Sequence, residues 1–216
     1  MIKKEILNLE INNLHANNKS SMRFSLMVLF FILFVPLSSI AHPHVFIDTQ
    51  IKIHFDTKGI SGFKITWTFD EMFSEIMIAE FDKDFDEEFS KEEQKTIYKT
   101  AFSNLKKFGY FTEIYIDNKA FNINYITNFS AKIKDGMMIY SFFIPCHITG
   151  SSTDREVDIY TYDSSYYMDV SLSDNSITFA NSDTYTIDYH VVEDQNKKYY
   201  YDQIYPLVLH LKFRKQ

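Results

Sequence analysis

Val45-Phe46-Ile47-Asp48-Thr49-Gln50-Ile51-Lys52-Ile53-His54-Phe55 is the stretch whose reading decides the fold. On an extended chain Val45, Ile47, Ile51, Ile53 and Phe55 share one face, while Asp48, Gln50, Lys52 and His54 share the other. A period of two with one apolar side marks a half-buried strand. Asp56-Thr57-Lys58-Gly59 supplies turn residues and Ile60 to Phe69 reads as a second strand, so the segment predicts a β-hairpin.

Beyond the hairpin the period changes. Met72, Phe73, Ile76 and Met77 recur at helical spacing behind a cap at Asp70, which predicts a first helix to about Phe81. Ser90 and Glu93 form the S-x-x-E capping box of a second helix. Its apolar stripe is Ile97, Tyr98, Ala101, Phe102 and Leu105, and Lys106-Lys107 precede a terminating Gly109. From Thr112 onward the pattern is β, with turns at Asp117-Asn118, Asp135-Gly136, Asp174-Asn175 and Glu193 to Lys198. The expected fold is α+β: a mostly antiparallel β body with an EF-hand-like helix-loop-helix inserted at about residues 70–109. No linker interrupts residues 42–216, which read as one domain.

Upstream, Met22 and Arg23 open a basic-then-apolar segment with its core at Leu26 to Val35, and Ser39-Ile40-Ala41 places small residues at a cleavage position. The apolar run is broken at Pro36 and is shorter than the ~18 to 20 residues that span a bilayer. Residues 1–41 are therefore expected to be a signal peptide behind an upstream extension, residues 1–21, that precedes the true start. Cleavage after Ala41 would export the chain to the periplasm and free an α-amine on His42.

Removing residues 1–41 leaves 18 basic against 27 acidic residues, a net charge of −9. An acidic surface without a Lys/Arg-rich stripe repels phosphate backbones, so nucleic acid is not an expected partner and a cation is. The 15 Tyr and 21 Phe beside 5 Gly favour strands. One cysteine, Cys146, excludes an internal disulfide framework. No G-x-S-x-G, H-E-x-x-H or glycine-rich phosphate loop occurs, and the protein is expected not to be an enzyme.

Two constellations carry metal chemistry. The segment from Asp82 to Glu93 places acids at loop positions 1, 3 and 5, an apolar residue at 8, a hydroxyl at 9 and Glu at 12, the order of an EF-hand. Asp82, Asp84, Asp86 and Glu93 would give side-chain oxygens and Glu88 a backbone carbonyl. Glu87 stands at position 6, where glycine normally takes a sharp turn at positive φ, so Ca²⁺ binding is expected to be weak. The alternative is an acidic connector in which Glu93 only caps the second helix. In the second constellation, His42 and His44 lie on one face of a strand, about 6 to 7 Å apart at Cα, within reach of one Zn²⁺, Ni²⁺, Co²⁺ or Cu²⁺ ion. Pro43 has no N–H to lose, which excludes the square-planar amino-terminal copper geometry.

His54, His190 and His210 read as solvent-facing strand positions. Cys146 and His147 are adjacent, hence on opposite faces, and meet at one ion only if the strand breaks at Pro145.

With His42-Pro43-His44, Trp67-Thr68-Phe69-Asp70, the Asp82 to Glu93 loop, Phe111-Thr112, Asp135-Gly136 and Tyr162-Asp163-Ser164-Ser165-Tyr166 in view, residues 42–216 resemble a bacterial domain-of-unknown-function family. It is a family of secreted proteins loosely described as periplasmic components of ABC-type transport systems, found beside polytopic permeases of the nickel/cobalt type. The resemblance implies a periplasmic metal-binding accessory of nickel, cobalt or zinc transport whose partner is an inner-membrane permease. His42 and His44 match the family's histidine-containing terminus, and Asp82, Asp84, Asp86 and Glu93 its EF-hand-like stretch. Glu87 departs from that pattern, as does Ser164, where a proline often follows the Tyr-Asp pair. The rival expectation is a scaffold subunit of a transporter complex that binds no metal.

Overall fold

In the computed structural model, Met27 and residues 43–216 are described. Apart from Met27, the leader lies outside the described residues, and so does His42. The decisive alternation becomes β1 (Val45–Phe55), which buries every second residue from Val45 to Phe55. It pairs antiparallel with β2 (Gly59–Phe69), as the hairpin reading requires. The bulge near the turn brings Gly62 so close to the neighbouring strand that an added Cβ would stand 2.6 Å from the Ile144 carbonyl oxygen. That contact forbids a side chain there.

Two helices follow, α1 (Glu71–Phe81) and α2 (Lys91–Thr100), and a 3₁₀ segment, Phe102–Phe111. Asp70 caps α1 by accepting from the Phe73 amide at 3.0 Å. The face that α1 buries differs from the predicted one: Ser74, Met77 and Phe81 are buried, while Met72 and Ile76 stay exposed. Ser74 explains the rotation. Its hydroxyl accepts the Met138 amide at 2.9 Å and donates to the Phe69 carbonyl at 3.3 Å, turning a polar residue toward the sheet. The second helix is also shorter than its stripe implied. Past Thr100 the chain tightens into 3₁₀ turns and leaves the helical region at Phe108, before the left-handed Gly109 at φ 61°. Phe102 is fully buried there against Trp67, Phe129 and Phe142, so aromatic packing sets the path.

The remaining strands are β3 (Thr112–Ile116), β4 (Lys119–Phe121), β5 (Thr127–Lys134), β6 (Met137–Thr149), β7 (Arg155–Thr161), β8 (Met168–Ser171), β9 (Ile177–Ala180), β10 (Tyr185–Glu193) and β11 (Leu207–Lys215). One sheet has the order β5-β6-β2-β1-β8, with β9 also pairing with β1, and the other runs β10-β11-β7-β3-β4. The Asp117-Asn118 and Asp135-Gly136 turns close hairpins at positive φ. Asp174-Asn175 does not. A 3₁₀ turn there joins β8 to β9, and both lie parallel to β1, end to end along its edge. The first sheet is therefore mixed. The two sheets share one core, in which Phe55 of β1 meets Tyr185 of β10 and Phe213 of β11, with ring centroids 4.7 and 5.5 Å away.

Candidate metal centre

The segment between the helices is organised by its own first residue. Asp82 closes α1 through its amide to the Ile78 carbonyl and is 2% exposed. Its two carboxylate oxygens accept from the amides of Asp86 at 3.3 Å and Glu87 at 3.1 Å, folding the loop back on itself. Asp86 in turn accepts from the Glu88 amide at 2.9 Å. Through this closure one carboxylate oxygen from each of Asp82, Asp84 and Asp86 comes within 4.8 Å of the others. Among the described residues no other set of three His, Cys, Asp or Glu side chains converges so closely.

Electrostatics follow from that crowding. Desolvation, and then the charges of Asp86, Glu93 and Asp82, hold the Asp84 carboxyl above its ordinary value. A divalent cation placed among these oxygens would relieve the repulsion that raises it. Three carboxylates are hard donors and fit Ca²⁺ or Mg²⁺ better than a soft metal. Asp84 and Asp86 are exposed, so an ion has a way in.

Position 6 takes the left-handed turn with its side chain in place: Glu87 has φ 62°, and Phe85 has φ 58°. The turn is made despite the Cβ, at a cost of roughly 1 kcal/mol or more relative to glycine. Phe89 anchors the far end of the loop at 6% exposure. Glu88 lines a cleft of about 280 Å³ together with Gln94, Ala131 and Lys132.

Glu93 is engaged as a cap. One of its oxygens accepts the Lys83 amide at 2.7 Å, and the other accepts the Ser90 amide at 2.9 Å and the Ser90 hydroxyl at 2.8 Å. Chiefly the Lys83 amide, and then Ser90, hold its carboxyl below the ordinary value. The three converging carboxylates do not include it.

His44 is exposed, donates its amide to the Tyr167 carbonyl at 2.9 Å and lays its ring 4.9 Å from that of Tyr167. His54 packs edge-on to Phe143, and burial, then Lys52 and Lys64, lower its pKa. The strand carrying Cys146 and His147 does not break at Pro145, because β6 continues to Thr149 and Pro145 sits opposite Gly62 at the bulge. Cys146 is 1% exposed with its thiol pushed up to about 12 by burial, while His147 faces out. The pair therefore neither shares an ion nor forms a nucleophile. Sequence periodicity missed one grouping: His190 and His210 are cross-strand partners, and Asp158 lies beside them on the next strand. The register between strands far apart in sequence creates it, and no local signal carries that.

Residues 27–205 match the family described as "Protein of unknown function (DUF1007)", and the chain belongs to that family. An uncharacterised protein of Haemophilus influenzae is 26% identical over 147 residues, which cover 67% of this chain and 69% of the relative.

Proposed function

We propose that this DUF1007 member is an exported, non-enzymatic metal-binding accessory of a transition-metal transport system, working beside a polytopic inner-membrane permease with nickel, cobalt or zinc as cargo. The observation that carries the metal-binding part is the approach of the Asp82, Asp84 and Asp86 oxygens to within 4.8 Å of one another in a loop already folded around Asp82. In this reading the loop takes a hard cation, Ca²⁺ first, and holds it weakly. The transition metal is received at the mature terminus by His42 and His44, which supply imidazoles and, after cleavage at Ala41, an amine. Transport association and export rest on the family resemblance drawn from the motifs.

The test is calorimetric titration of Ca²⁺, Zn²⁺, Ni²⁺ and Co²⁺ into protein beginning at His42, beside Asp84→Asn/Asp86→Asn and His42→Ala/His44→Ala. The expected Ca²⁺ dissociation constant is on the order of 10⁻⁴ to 10⁻³ M, lost in the carboxylate variant, with transition-metal affinity lost in the histidine variant. If no cation binds at millimolar concentration, the metal-handling reading is wrong.

A second reading, a scaffold subunit that binds no metal, is favoured by the exposed side chains of Met72 and Ile76, one turn apart on α1 at 63% and 58% exposure. Apolar groups left on that face suit a docking contact. Met72→Glu/Ile76→Glu separates the readings. Loss of permease co-purification with cation binding intact assigns the face to docking, and retained co-purification removes it from the interface.

A further inference from the structure

On the sheet face turned away from the core, the register of β10, β11 and β7 sets His190 opposite His210 and His210 opposite Asp158. The two imidazole rings lie 5.1 Å apart at their centroids, tilted by 44°. His210 Nδ1 stands 2.6 Å from Asp158 Oδ1. An ionised carboxylate only accepts, so the proton on this contact belongs to Nδ1, and the neutral ring carries its lone pair on Nε2. A carboxylate behind a histidine, fixing tautomer and ring orientation, is the usual support of a metal-ligating imidazole. The Asp158 and His210 side chains are 25% and 34% exposed and are joined by that contact, while His190 is exposed. The row is flanked on one side by the Lys212–Glu156 ion pair at 2.8 Å and on the other by Asp194, which accepts the Tyr160 hydroxyl at 2.8 Å.

From this juxtaposition we infer that His190 and His210 form a second, surface metal site for a borderline divalent first-row cation, Zn²⁺, Ni²⁺ or Cu²⁺, with Asp158 as its positioning residue. His210 Nε2 and one His190 nitrogen are the protein ligands, and water completes the coordination. Two imidazoles select these ions over Ca²⁺ and Mg²⁺, which prefer oxygen. The site requires neither the Asp82 to Glu93 loop nor the transport reading.

The experiment titrates Zn²⁺, Ni²⁺ and Cu²⁺ separately into purified protein carrying His42→Gln and His44→Gln throughout, which removes the amino-terminal pair as a competing source. Imidazole NMR signals and competition with a chromogenic chelator are followed together. With Zn²⁺, the His190 and His210 signals should move together and saturate at a single equivalent. His190→Gln and His210→Gln should each weaken binding at least about tenfold, and Asp158→Asn by about tenfold through the loss of ring orientation. Asp84→Asn should leave the affinity unchanged. Wild-type affinity in both histidine variants, or imidazole signals that do not respond, overturns the site. If His210→Gln fails to fold, the exposed His190→Gln and the NMR titration of the parent His42→Gln/His44→Gln protein still decide the question.

Discussion

In the loop between α1 and α2, the Asp82 carboxylate is held by amides four and five residues ahead of it, at Asp86 and Glu87. On the second sheet, by contrast, His190, His210 and Asp158 come from three strands and are aligned by sheet register alone. The loop concentrates like charge, so its donors repel one another until a cation enters. The histidine row pairs a base with a carboxylate and needs no ion to hold its geometry. A site built locally is organised by its own hydrogen bonds and is tuned by single residues in the loop. A site built across strands inherits the stability of the core beneath it.

The largest effect tests that inheritance. Phe55 links the two sheets through Tyr185 and Phe213, and Phe55→Ala should cost about 3 to 5 kcal/mol in a denaturant melt. Hydrogen exchange should then show β10 and β11 losing protection before the loop does. Simultaneous loss in both regions would show that the loop depends on the same core as β10 and β11.

Next is Asp82→Ala, which strips the Asp86 and Glu87 amides of their acceptor in a partly buried setting and should cost about 1 to 3 kcal/mol. The effect should stay local: the His190 and His210 resonances should be unmoved. If they shift, the two regions are coupled.

Smaller, and of opposite sign, is Glu87→Gly. Removing a Cβ from a position at φ 62° should stabilise the fold by about 1 kcal/mol and tighten Ca²⁺ binding. A destabilised variant would mean that the Glu87 side chain supports the loop in some other way.

The smallest effect is pH dependence at the cap. The Glu93 carboxyl lies below its ordinary value in the fold, so the ionised form is the one the cap favours. Its contribution is therefore present above the unfolded value of 4.5 and is lost as pH falls through the lower folded value. Exchange of the Lys83 and Ser90 amides should accelerate over that acidic window relative to neighbouring amides, and Glu93→Gln should flatten the dependence. An unchanged profile in Glu93→Gln would place the titrating group elsewhere.

Much of this was legible from residue order. The alternation of 45–55, the turn at Asp135-Gly136 and the capping box at Ser90 and Glu93 each state their structure within a few residues, because side-chain direction, turn dihedrals and orphan helix amides are local quantities. The acidic spacing of the loop was legible for the same reason, since its closure uses amides five residues away or less. Tertiary structure alone decided the rest. Periodicity pointed to Met72 and Ile76 as buried, but Ser74 found a strand amide to satisfy and rotated α1. Parallel pairing of β8 and β9 with β1 depended on where the chain re-entered the first sheet. His190 and His210 read as ordinary outward-facing residues, and no local pattern in the sequence pairs either with Asp158. Only the pairing of β10 with β11 and of β11 with β7 brings them side by side, because strand register is set by burial of the opposite face and not by the residues it happens to align.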